Sequence, residues 1–119
     1  MVKGKVVLVP FPFDDLTGTK VRPAVCLTES IGVHRHVILA FISSQTPQNL
    51  GPTDMVLHPN QSDFRKTGLR VASVLRLHRM VTLTTNLIQR ELGELSLALQ
   101  QEMDQKLTVL FGLNPPPKA

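Results

Sequence analysis

The chain has 119 residues, room for one small domain, and its 42% hydrophobic and 18% charged residues exclude a disordered chain. Thirteen Lys and Arg against nine Asp and Glu give a net charge of +4. No apolar run approaches the ~20 residues of a membrane-spanning helix, and Pro10 and Pro12 interrupt the only apolar stretch near the start. A signal peptide is therefore not expected, and the chain reads as soluble and cytoplasmic. The single cysteine, Cys26, excludes an internal disulfide and a cysteine-based metal centre.

The first two thirds read as β structure. Lys5-Val6-Val7-Leu8-Val9 is rich in branched side chains and is predicted as a strand stopping at Pro10. Pro10 to Thr19 is a long loop, because its prolines deny ladder hydrogen bonds and Thr17-Gly18 signals a turn. Val21 to Leu27 resumes strand character, with Cys26 as a small buried hydrophobe. Ile31-Gly32 makes a turn, His36 to Ile42 is a third apolar run, and Asp54 to His58 alternates weakly. Val71 to Leu83 gives one long strand or two with a bend.

The end is predicted helical. Thr84-Thr85-Asn86 offers capping side chains before Leu87 to Leu92, and Gly93 closes that short helix. Ser96 caps a second, longer helix whose Leu99, Met103, Leu107, Leu110 and Phe111 share a core-facing side. Gly112 and Pro115-Pro116-Pro117 stop it. Short strands followed by a packing helix predict an α+β, mainly β domain curled into a small barrel. Residues 1–113 form that single domain, and 114–119 a short Pro-rich tail.

The positive charge is concentrated. Through Leu83 ten bases meet five acids, and five of those bases fall between Arg65 and Arg79; from Thr84 onward three bases meet four acids. Within this basic part Lys20-Val21-Arg22-Pro23 places an Arg where a strand begins. Its guanidinium can present a planar fork to a phosphate, or pair with Asp14 or Asp15. Ile42-Ser43-Ser44-Gln45-Thr46 ends an apolar strand with uncharged hydrogen-bonding groups, which hold phosphates or base edges and also start turns.

In Ser73-Val74-Leu75-Arg76-Leu77-His78-Arg79, strand alternation puts Arg76 and His78 on one face and Leu75 and Leu77 on the core. An imidazole with an ordinary pKa of about 6.5 can move a proton, and a guanidinium can stabilise charge on a pentavalent phosphorus. The same pattern also describes a solvated strand face. His34 and His36 flank Arg35 and share a face, but no carboxylate or cysteine lies nearby in sequence, so no metal site is expected. There is no Gly-rich phosphate loop, no Gly-x-Ser-x-Gly and no His-Glu-x-x-His, so no cofactor is expected either. With no Tyr and no Trp, nucleic-acid contacts would rest on Arg, hydrogen bonds and backbone rather than on stacking.

The opening Gly4 to Phe13, the block Asp15-Leu16-Thr17-Gly18-Thr19-Lys20-Val21-Arg22-Pro23-Ala24-Val25, then Ile42-Ser43-Ser44-Gln45, Ser73-Val74-Leu75-Arg76 and Leu92-Gly93-Glu94-Leu95-Ser96 together resemble the PemK/MazF toxins of bacterial toxin–antitoxin modules. The resemblance covers nearly the whole chain. It implies an SH3-like barrel with a C-terminal helix, usually a homodimer. It also implies a metal-independent, ribosome-independent endoribonuclease that cuts single-stranded mRNA. The cut proceeds by 2′-OH attack and leaves a 2′,3′-cyclic phosphate. An antitoxin, whose extended tail occupies the RNA groove, is the implied partner.

Carried over by position, Arg22 matches the family's Arg of the Arg-Pro pair. Ser43 stands where MazF-like members carry Thr. Arg76 matches a catalytic strand arginine, and His78 falls where PemK-type members carry a catalytic Asp. Val81 replaces a polar or basic residue. The implied catalytic set is Arg22, Ser43, Arg76 and His78, with Lys20, Gln45, Thr46 and Arg79 as RNA contacts and the loop from Pro10 to Thr19 as a lid. Because the expected carboxylate is replaced at His78, a non-catalytic RNA- or antitoxin-binding module is the rival. A CcdB-type topoisomerase poison on the same barrel stands third.

Overall fold

The strands found in a computed structural model of the chain begin with β1 (Lys5–Pro10), β2 (Val21–Cys26) and β3 (His36–Ser43). They continue with β4 (Asp54–Leu57), β5 (Ser73–Thr84) and β6 (Arg90–Glu94), and helix α1 spans Leu97–Leu110. The structure describes residues 1–10, 20–45 and 49–113. The expected lid, Thr46 and the Pro-rich tail fall outside the described residues, apart from Pro10 at the end of β1.

All pairings are antiparallel, and the six strands form one curled sheet in the order β4-β5-β3-β2-β1-β6. Side chains alternate across each strand, and here both faces are apolar. Val6, Val25, Ala40, Ile42, Leu75 and Leu77 share one buried cluster, against which α1 lays Leu99 and Met103. Val7, Val9, Ala24, Cys26, Val37, Leu39 and Phe41 form the other. Burial on both faces is why these strands read as unbroken apolar runs in the sequence.

β5 is a single long strand with a break in register. Ile42 pairs with Leu75 and Ala40 with Met80, so Phe41 alone faces the four residues Arg76 to Arg79. The excess of three residues reverses the alternation. Leu75 before the bulge and Leu77 within it belong to the first cluster, and Val81 and Leu83 pack on the second beyond it. Of the two alternatives the single long strand is the one formed, and its register break sits within the arginine-bearing stretch.

The expected short helix over Leu87 to Leu92 is not formed. Thr85–Leu87 makes one turn of 3-10 helix, and Arg90–Glu94 becomes an edge strand on β1, with Lys5 opposite Glu94 and Leu8 opposite Arg90. Gly93 does not close a helix. It lets β6 touch the backbone of a second 3-10 turn, Arg65–Thr67, and a Cβ on it would lie 2.6 Å from the Thr67 carbonyl carbon. Gly68, left-handed at φ 75°, closes that turn, and a Cβ there would lie 2.6 Å from the Leu92 carbonyl carbon.

The long helix is as expected. The Ser96 hydroxyl accepts the Leu99 N–H at 3.1 Å and donates to Asp63 Oδ2 at 2.5 Å, capping the helix and anchoring it to the loop before the Arg65 turn. Leu99 and Met103 are buried, with Leu107 and Leu110 packed partly against the same cluster. Phe111 departs from expectation: it lies one residue past the helix and is 60% exposed.

Candidate functional site

The start of β2, the end of β3, residues 69–71 and the bulged part of β5 converge on one cleft of about 360 Å³. Four guanidinium-bearing side chains line it: Arg22, Arg70, Arg76 and Arg79. Ser43, Ser44 and Gln45 supply the uncharged hydrogen-bonding wall, and Phe41, Ile42 and Leu69 the apolar one. The register explains the gathering. Arg22 lies at the outer end of the β1–β2 ladder opposite Val9, and Ser43 at the end of the β3–β5 ladder opposite Val74. The bulge then places Arg76 and Arg79 around Phe41.

Arg76 is anchored by a carboxylate from the neighbouring strand. Its Nε–H donates to Asp54 Oδ1 at 2.8 Å, across the β4–β5 ladder in which the two residues are direct partners. The Asp54 side chain is 3% exposed, and its Oδ2 accepts the Gly51 N–H at 2.8 Å. A carboxylate so enclosed needs such partners to remain charged at little cost.

Ser43 Oγ accepts the Gln45 N–H at 3.1 Å and donates to the Gln45 carbonyl at 3.2 Å, so the turn reading of Ser43 to Gln45 holds. The turn nevertheless presents Ser43, Ser44 and Gln45 to the cleft.

The cleft thus brings together Arg22, Ser43, Gln45, Arg76 and Arg79 from the sequence-derived set. Lys20 and His78 are exposed and are not among its lining residues. Two contributors were missed. Arg70 stood out only as one of several bases, in a segment with no strand alternation to orient it. Asp54 lies 22 residues from Arg76, a distance no local pattern spans.

Away from the cleft, the His34 and His36 rings sit 5.9 Å apart, and His34 lines a shallow depression with Arg35, Thr84, Thr85 and Asn86. Among the described residues no three His, Cys, Asp or Glu side chains gather as a metal centre would need. Cys26 is fully buried, and burial pushes its thiol up to about 11, far from nucleophilic use. Among the described residues no helix is long and apolar enough to cross a membrane.

A curled antiparallel sheet closed by one C-terminal helix defines a small mainly-β barrel of the SH3-like kind, with its basic cleft at the strand ends. Solved structures share it. A Mycobacterium tuberculosis toxin, MazF-mt6, superposes with a TM-score of 0.69 at 18% identity, covering 93% of this chain and 99% of that one. The MazE–MazF structure from Deinococcus radiodurans gives 0.71 at 20%, covering 96% and 98%. An endoribonuclease in complex with its cognate antitoxin, from Mycobacterial species, gives 0.68 at 16%, covering 98% and 99%. No curated protein matches the chain in sequence. The sequence model of the PemK-like, MazF-like toxins of type II toxin–antitoxin systems matches residues 2–111, and the chain belongs to that family.

Proposed function

We propose that this toxin is a cytoplasmic, metal-independent and ribosome-independent endoribonuclease that cuts single-stranded mRNA. The observation that carries the reading is the convergence of Arg22, Arg70, Arg76 and Arg79 on one cleft with the Ser43 hydroxyl. Planar guanidinium forks suit phosphate oxygens, and several of them around one phosphate stabilise the added charge of a pentavalent transition state. In this mechanism the ribose 2′-OH attacks the adjacent phosphorus and the bond to the 5′ oxygen breaks. One proton leaves the 2′-OH and one reaches the departing oxygen, yielding a 2′,3′-cyclic phosphate and a 5′-OH. Arg22 and Arg76 carry the transition-state charge, Ser43 orients the phosphate, and Lys20, Gln45, Thr46 and Arg79 hold the flanking RNA. His78, next in sequence to Arg79, is the proton carrier.

Two partners follow from the same reading. Relatives of this fold have been solved with antitoxins, and an antitoxin that fills the arginine cleft would block RNA. A second copy of the chain completes a homodimer.

The test is incubation of purified, antitoxin-free protein with a long unstructured RNA in EDTA from pH 6 to 8. Fragments ending in 2′,3′-cyclic phosphate support the nuclease, and a large fall in their rate of formation in Arg22→Ala and Arg76→Ala supports the site. Full activity in both variants refutes the assignment. The second reading, a binding module without catalysis, is favoured by the position of His78 outside the cleft lining, and RNA binding without cleavage at every pH would select it.

A further inference from the structure

We infer that Asp54 is a positioning residue that aims the Arg76 guanidinium into the cleft; the inference rests on the nuclease reading above. Asp54 and Arg76 face one another in the β4–β5 ladder, so the backbone fixes the distance between their Cα atoms. The carboxylate is held at both oxygens, Oδ1 by Arg76 Nε–H and Oδ2 by Gly51 N–H, each at 2.8 Å. The Asp54 N–H returns a bond to the Gly51 carbonyl at 3.2 Å, closing the turn into β4. With 3% of its side chain exposed, Asp54 cannot swing out to water.

The choice of nitrogen matters. A guanidinium has five N–H donors in one plane. Engaging Nε from behind fixes that plane while both terminal amino groups stay clear of the carboxylate, and Arg76 itself lines the cleft. A Lys could keep the charge but has no rear donor by which to be aimed. Asp54 does not line the cleft, so any influence on RNA passes through Arg76.

A positioning role and a merely structural ion pair differ in their kinetics. Replacing the carboxylate by an amide removes a negative charge beside a polyanion site, so RNA binding stays the same or tightens, while a misaimed guanidinium slows the chemical step. Single-turnover cleavage of a fluorogenic unstructured RNA, measured across protein concentrations, separates the two. Asp54→Asn is expected to lower the rate at saturation about 10- to 100-fold with the half-saturating concentration no higher than in the wild type. In an Arg76→Ala background the same substitution costs less than about twofold, because its intermediary is gone.

Wild-type saturating rate in Asp54→Asn, or an equal loss with and without Arg76, overturns the inference and leaves the nuclease standing. A wild-type protein that cuts no RNA overturns the nuclease reading and this inference with it. Should Asp54→Asn melt below the assay temperature, Arg76→Lys decides the matter. A loss comparable to that of Arg76→Ala supports aiming, and near-wild-type cleavage refutes it.

Discussion

Gly93→Ala tests the contact that holds the basic turn against the barrel. The added Cβ would lie 2.6 Å from the Thr67 carbonyl carbon and closer still to the Lys66 carbonyl oxygen, where ordinary contact begins near 3.4 Å. The two backbones would have to part by about 1 Å, and neither side offers a flexible side chain to yield. Overpacking costs about 1–3 kcal/mol, and backbone on both sides puts this case at the upper end. With an unfolding entropy of roughly 2.1 cal/mol/K per residue, about 3 kcal/mol lowers Tm by about 12 °C in a chain of this length.

Gly32→Ala is the control. Its φ is 72° but nothing lies within 4 Å of the added carbon, so only backbone strain of about 1 kcal/mol applies, or about 4 °C. Thermal melts followed by circular dichroism give both numbers. A Gly93→Ala protein melting no lower than Gly32→Ala would refute the close approach and, with it, the packing of the Arg65 turn on β6.

Arg70→Ala should weaken binding of a non-cleavable 2′-O-methyl RNA about equally for all sequences. The slope of log K against log salt should become shallower by about 0.7, the loss of one phosphate contact on a single strand, as read by fluorescence anisotropy. Cys26 gives a pH signature. Its thiol is raised to about 11 in the fold, so its stabilising contribution is complete below the unfolded thiol's pKa and declines as pH rises toward the folded value. The loss should reach about 2 kcal/mol by pH 10.5 relative to pH 8. Denaturant midpoints of wild type and Cys26→Ala at the two pH values should show it as a narrowing gap, and a constant gap would refute it.

Strands whose residues are buried on both faces announced themselves, since Lys5 to Val9, Val21 to Leu27 and His36 to Ile42 needed no partner to be recognised. The segment around Arg90 did not. Its capping residues and Gly93 carry helix-end chemistry, yet the open edge of β1 and the carbonyls of Lys66 and Thr67 decide its form. Those lie more than 25 residues away, where local propensity has no reach. The cleft follows the same division. Arg22, Ser43 and Gln45 were legible because each sits at a strand end or beside a turn signal, and Arg76 and Arg79 because they belong to the strand motif Ser73 to Arg79. Arg70 depends on how the Arg65 turn packs, and Asp54 on ladder register. His78 shows the limit of alternation: it was expected on one face with Arg76, but both lie in the stretch left unpaired by the bulge, and the cleft takes Arg76 and Arg79 without it.

The three surplus residues opposite Phe41 also govern how this chain tolerates changes of length. Losing one residue between Leu77 and Arg79 would leave an even surplus, under which plain alternation from Leu75 already puts Met80 on the face of Ala40 and Val81 on that of Leu39. Losing two would leave an odd surplus that only a bulge can absorb. Losing three would straighten the ladder and keep every later residue on its own side. It would remove a buried Leu77, together with His78 and Arg79. Insertions and deletions at this point thus obey a parity rule, and the barrel has a route to shed part of its basic cleft without reversing its sheet.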